Sequence, residues 1–170
     1  MTLESILFIV FAAVGLASAL LLVTRRNPII SALYLILNFF ALAGLYLTLH
    51  AQFIAVIQIL VYAGAIMVLF VFVIMLLNLR DERSLREGLS WKKVFAAGVS
   101  FGLLMEVIYI LMTSASGMTE LLPAKATEIG TVEAIGSRLF TRFLFPFEVT
   151  SVLLTAAIVG AILLAKKKLD

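Results

Sequence analysis

The sequence predicts an all-α integral membrane protein of five transmembrane helices, with the N-terminus outside and the C-terminus cytoplasmic. Three observations carry this expectation. Of the 170 residues, 64% are hydrophobic and only 14% charged, against roughly 45–50% and 25% in ordinary soluble domains. So few charges cannot cover that much apolar side chain in water, and the excess must face lipid. The apolar residues also gather in uncharged runs of about 20 residues, the length that crosses a bilayer core. Finally, Lys and Arg cluster between alternate runs, the asymmetry that sets membrane orientation. The length allows one transmembrane domain, residues 1–170. Absence of cysteine excludes a disulfide scaffold, iron–sulfur ligation by this chain and thiol catalysis. One histidine, His50, is too few for a histidine metal or haem site, and a net charge of +3 is too small to point to nucleic acid.

The first span, about 3–23, includes the uncharged run from Ser5 to Thr24. It lacks a positive leader and a small-residue cleavage site, so it reads as a retained helix rather than a signal peptide. Asn27 to Leu79 carries no Asp, Glu, Lys or Arg. This stretch makes two spans, about 29–49 and 53–78, joined by a tight turn at Thr48-Leu49-His50-Ala51-Gln52. Asn27 and Pro28 suit the N-cap and first position of the second span. A fourth span covers about 94–114 and encloses Glu106; the fifth, about 147–165, ends at Lys166-Lys167-Lys168. Numbering the loops alternately places Arg25, Arg26, Arg80, Arg83, Arg86, Lys92, Lys93 and those three lysines on one side. Only Lys125, Arg138 and Arg142 remain for the other. In the long outer segment, Val132, Ile135, Leu139 and Phe143 recur at helical spacing among polar residues. This predicts a helix over about 131–143, stopped by Pro146, lying flat in the outer interface or docked on a partner subunit.

Polar residues at depth are the informative ones in a membrane helix. Counted inward from the outer helix ends at 1.5 Å per residue, Tyr62 lies roughly 15 Å deep, Glu106 about 13 Å and Asn38 about 18 Å. All three fall near the midplane, with Gln58 one turn above Tyr62 on the same face. A lone carboxylate there costs roughly 3 kcal/mol on insertion scales, so Glu106 should find a donor or a proton. It reads as a relay carboxyl, as a protonated acid bonded to a neighbour such as Tyr62 or Tyr109, or as a residue facing a wet subunit interface. Glu148 falls in the first turn of the last span, where the helix dipole favours an anion. Gly98 and Gly102 form a small-xxx-small pair that marks a close helix contact. In Tyr62-Ala63-Gly64-Ala65, the mid-helix glycine marks either close packing or an irregular backbone.

The run Gln58-Ile59-Leu60-Val61-Tyr62-Ala63-Gly64-Ala65-Ile66-Met67-Val68-Leu69-Phe70 and its continuation to Asn78 closely resembles the third helix of subunit J of bacterial NADH-quinone oxidoreductase, the counterpart of subunit 6 of complex I. Asn27-Pro28, Leu35-Ile36-Leu37-Asn38 and Phe147-Glu148 look like the same family. The resemblance implies a membrane-arm subunit of a proton-translocating NADH:quinone oxidoreductase in the cell inner membrane. It further implies a third helix carrying a π-bulge, which gates a hydrated proton route between the quinone cavity and the first antiporter-like subunit. Tyr62, Gly64, Val68 and Phe70 match the family motif. Gln58 stands where members commonly carry an acid, and Glu106 lies outside the pattern. The implied partners are the quinone-site subunit, small three-helix subunits, antiporter-like subunits and lipid. The chain would hold no cofactor, while other subunits carry NADH, FMN, iron–sulfur clusters and quinone. Equivalent subunits of ferredoxin- or F420-linked dehydrogenases, membrane hydrogenases and multisubunit cation/proton antiporters share such a helix. A stand-alone transporter fits less well, because no inverted repeat is present, and a purely structural spacer would need Tyr62 and Gly64 for assembly alone.

The charge asymmetry yields a direct test. A thiol-labelling probe placed at residue 125 should react from outside, and one in the 79–93 loop from the cytoplasm. Cytoplasmic labelling at 125 would overturn the five-span topology.

Overall fold

A computed structural model describes residues 2–77, 91–115 and 130–166, and all regular structure among these residues is helical. The expected cytoplasmic loop with Arg80, Arg83 and Arg86, the outer stretch around Lys125, and Lys167 and Lys168 lie outside the described residues. Helix α1 spans Leu3–Thr24, with the Thr2 hydroxyl accepting from the Ser5 N–H and Glu4 in the first turn. Both features satisfy the positive end of the helix. Helix α2 spans Pro28–Thr48 and starts as its sequence dictates. Asn27 Oδ1 accepts from the N–H groups of Ile29 and Ile30 at 3.0 and 3.3 Å. It ends where Ala51 N–H returns to the Tyr46 carbonyl at 2.9 Å, and His50 takes a left-handed φ of 58° to turn the chain back. Histidine tolerates that conformation better than bulkier residues.

Helix α3 follows as Gln52–Leu76, α4 as Trp91–Ala115, α5 as Val132–Thr141 and α6 as Leu144–Ala165. Among the described residues, five helices are long and apolar enough to cross a membrane, α5 being the exception. The start of α6 differs from expectation. Pro146 does not stop α5, which already ends at Thr141; it sits in the first turn of α6. A proline there forfeits no hydrogen bond, because the first turn has no intrahelical acceptor for its N–H. The α6 ladder opens with Phe147 N–H to the Phe143 carbonyl at 3.0 Å. Glu148 consequently falls in the second turn and is not a first-turn carboxylate.

Among the described residues, α2 packs between α1 and α3. Lipid tails are as apolar as leucine, so helices join in a membrane through close packing of small residues and through hydrogen bonds. Both devices occur in the α1–α2 seam. Gly15 lies against Ala41, and a Cβ on Gly44 would come within 2.5 Å of the Phe11 ring. Asn38 Nδ2 donates to the Gly15 carbonyl at 2.8 Å and to Ser18 Oγ at 3.2 Å, while Ser18 Oγ donates to the same carbonyl at 2.9 Å. On its other side α2 meets α3 through Ala32, Met67 and Ile74, flanked by Leu35, Ile36, Phe39 and Val71. Helix α5 touches α3 and folds onto α6, where the Phe140 and Phe147 rings meet edge to face at 5.2 Å. Helix α4 packs on no other element among the described residues. Gly98 and Gly102 accordingly face open space, and the close contact expected of them is not made within this chain.

The two devices of the α1–α2 seam differ in expected cost. Gly44→Leu drives a side chain into the Phe11 ring and should destabilise by about 1–3 kcal/mol, as overpacking does. Asn38→Ala should cost about 1 kcal/mol, the scale of one membrane-buried hydrogen bond. Unfolding in mixed micelles, followed by the α1–α2 distance between spin labels, checks both. An Asn38→Ala protein as stable as the parent would remove the clamp from this account.

Candidate functional site

The middle of α3 is not a regular α-helix. Gln58–Ile66 forms a π-helical segment between α-helical flanks at Gln52–Ile57 and Met67–Leu76. Met67 N–H reaches the Tyr62 carbonyl, five residues back. The burial pattern carries the same signature. Ala55, Gln58, Ala63, Met67 and Ile74 are the buried residues of α3, with Val71 partly buried beside them. Their spacing is that of an α-helix except between Gln58 and Ala63, where it widens to five. The wide turn takes up one residue, so the small and apolar face stays on α2 above and below it. Without that residue, every side chain beyond the turn would be rotated by roughly 100°.

Gly64 owes its identity to this geometry. A Cβ on Gly64 would sit 3.2 Å from the Ile59 carbonyl oxygen, the backbone group five residues earlier. No neighbouring helix crowds it. Within the described residues, the contact a side chain at Gly64 would meet is therefore the backbone of its own helix. Tyr62 is 46% exposed and lays its ring edge to face against Phe39 of α2, with centroids 5.6 Å apart at 66°. Its hydroxyl has no hydrogen-bond partner among the described residues. Gln58, the first residue of the wide turn, is only 8% exposed. Its amide likewise makes no hydrogen bond among the described residues, and its polar atoms keep some access to solvent.

The other candidates do not converge on this turn. Asn38 lies next to Phe39 in sequence but faces α1, held by Gly15 and Ser18. Val68 and Phe70 are on α3 with about half of their surface exposed, so they point away from the α2 seam. Glu106 is exposed on α4 and forms no hydrogen bond or ion pair among the described residues. The expected bond from Glu106 to Tyr62 is not formed, because α4 does not pack against α3 among the described residues, and Glu106 makes none to Tyr109 on its own helix either. Sequence reasoning overlooked Ser18, buried and bonded to Asn38, and Phe39, the ring under Tyr62. A serine three residues after Gly15 in an otherwise apolar span was the available signal for the first.

No group of three or more His, Cys, Asp or Glu residues converges among the described residues.

Comparison with known proteins bears on this arrangement. The chain is 39% identical over 166 residues to the NAD(P)H-quinone oxidoreductase subunit 6 of the Paulinella chromatophora organellar chromatophore, covering 98% of this chain and 80% of that one. It is 32% identical to NADH-quinone oxidoreductase subunit J of Rickettsia bellii, over 97% of this chain and 82% of the relative. An F(420)H(2) dehydrogenase subunit J from Methanosarcina mazei is 35% identical, with 96% and 92% covered. The profile of the NADH-ubiquinone/plastoquinone oxidoreductase chain 6 family matches residues 18–164, and with the five spans and the near full-length relatives this establishes that the chain belongs to that family.

Proposed function

We propose that this chain is a membrane-arm subunit of a proton-translocating NADH:quinone oxidoreductase, and that it couples quinone reduction to proton movement by switching the middle of α3 between π and α forms. The observation that carries this reading is the wide turn at Gln58–Ile66, with Gly64 against the Ile59 carbonyl. Single π turns gather at functional sites because the extra residue can migrate along a helix and turn side chains as it goes. Loss of the extra residue would rotate Tyr62, Val68 and Phe70 relative to α2. It would also carry the unpartnered Gln58 amide and Tyr62 hydroxyl to new surroundings. Such a movement opens or closes a hydrated path without any carboxylate, histidine or lysine in the turn itself. The electron carriers, FMN, iron–sulfur clusters and quinone, belong to other subunits in this reading. The quinone-site subunit, the small three-helix subunits and an antiporter-like subunit are the neighbours. The cytoplasmic membrane is the location, with the C-terminal lysines inside.

A second reading has a specific observation behind it. The chain covers 92% of the F(420)H(2) dehydrogenase relative but about four-fifths of the NADH-linked ones. In a complex that accepts electrons from reduced coenzyme F420, α3 would serve the same switch. The donor oxidised by the purified complex separates the two readings.

The switch itself is testable at Gly64. A Cβ there presses on the Ile59 carbonyl in the π form only, so Gly64→Ala and Gly64→Val should favour the α form. Glycine to alanine alone stabilises an α-helix by up to about 1 kcal/mol, which is roughly fivefold in population. Quinone reduction and proton pumping should fall together in complexes that native gels show to be assembled. Tyr62→Phe keeps the ring on Phe39 and loses no bond within the chain, so its effect should be smaller. An assembled Gly64→Val complex with full, coupled activity would rule the switch out.

A further inference from the structure

The short helix α5 ends in a cationic pair that the proposed coupling role does not use. Arg142 follows the last residue of α5 with a helical φ of −82° and ψ of −34°, and its N–H bonds the Arg138 carbonyl at 2.9 Å. Arg138 and Arg142 are therefore true i, i+4 neighbours, with Cβ atoms about 5–6 Å apart. Like charges at that spacing repel. Neither guanidinium forms an ion pair among the described residues. Glu133 lies at the opposite end of α5, and Glu148 on the second turn of α6. Arg142 approaches only the Phe143 ring, at 6.0 Å.

Depth supplies an independent constraint. Only Arg142 and Phe143 separate α5 from the 22-residue span α6. At 1.5 Å per residue that span measures about 33 Å, enough to fill the hydrocarbon core. Both arginines therefore sit just outside it, at the level of the headgroups. Around them Phe140, Phe143 and Phe145 expose their rings, apolar surface at the depth where acyl chains begin.

We propose that Arg138 and Arg142 form a clamp for the phosphate of an anionic glycerophospholipid, whose acyl chains lie along Phe140, Phe143 and Phe145. One phosphate between two guanidiniums removes their mutual repulsion and accepts paired N–H bonds from each planar fork. An anionic lipid fits better than a zwitterionic one, because its headgroup brings no ammonium against the pair. The exposed rings favour a lipid over the carboxylates of a protein partner, since they match acyl chains at that depth. Bound there, the lipid pins α5 to the membrane surface and fixes where α6 enters the bilayer.

The test uses the full chain reconstituted into bilayer discs that contain a photoactivatable phosphatidylglycerol or, in a parallel sample, the matching phosphatidylcholine. Phosphatidylglycerol should label the 132–147 region of the wild-type protein, and phosphatidylcholine should label it far less. Arg138→Gln with Arg142→Gln should cut that labelling on the order of tenfold or more, as removal of two basic side chains from an anionic surface requires. The double lysine variant, which keeps the charge, should recover part of it. Equal labelling by the two lipids in the wild-type protein overturns the proposal, and this comparison stands even if the glutamine variant fails to insert. Labelling that survives the glutamine substitutions overturns it as well. So does displacement by inorganic phosphate, which would mark a site for a soluble anion, or replacement of lipid labels by crosslinks to acidic residues of another subunit in the assembled complex.

Discussion

In hydrocarbon a backbone N–H has no water to turn to, so each helix must satisfy its own ladder from end to end. The middle of α3 meets that demand with a wide turn instead of a break. Met67 N–H still reaches a carbonyl, but the one at Tyr62. The extra residue is taken up within the turn, and the helix continues to Leu76 on the same buried face. Glycine at position 64 follows from this, because any Cβ there would crowd the Ile59 carbonyl. The packing of α3 on α2 depends on the turn in the same way. A continuous α-helix would carry Met67 and Ile74 out of the seam they share with Ala32.

Helix α2 is the element against which the others are measured. Its α1 side is small and polar, with Asn38, Ala41 and Gly44; its α3 side is apolar, with Ala32, Leu35 and Phe39. The division follows from what membrane packing rewards. Small residues let backbones approach, and a buried amide is tolerable only when it is bonded. Asn38 meets that condition through Gly15 and Ser18, so it holds α1 in place. The Gln58 amide and the Tyr62 hydroxyl form no hydrogen bond among the described residues, and neither is fully shut off from solvent. Both groups lie on the turn where, among the described residues, the helix backbone takes the π form. The polar groups that fix the α1–α2 seam are thus separate from those on the wide turn of α3.

How much of this was legible in the sequence differs from residue to residue. The lengths of the apolar runs determined the all-helical class and the five spans, because in a bilayer length and hydropathy alone decide what can cross. Local chemistry determined the Asn27 cap and the reversal at His50, which involve only neighbours in the chain. Pro146 was the exception among local signals. Its missing N–H allows two outcomes, a stop or a first turn, and the contact of α5 on α6 accompanies the second.

Only the tertiary structure decided what each polar residue meets. Counting along helices placed Asn38, Tyr62 and Glu106 at one depth, but depth leaves rotation and neighbours open. Packing turned Asn38 toward α1, set Tyr62 on Phe39 and left Glu106 on a helix that touches neither. The reason is geometric. Sequence determines the faces a helix can present, whereas the rotation of each helix about its axis is settled by the partner it packs against, and for α3 by one residue that the wide turn absorbs.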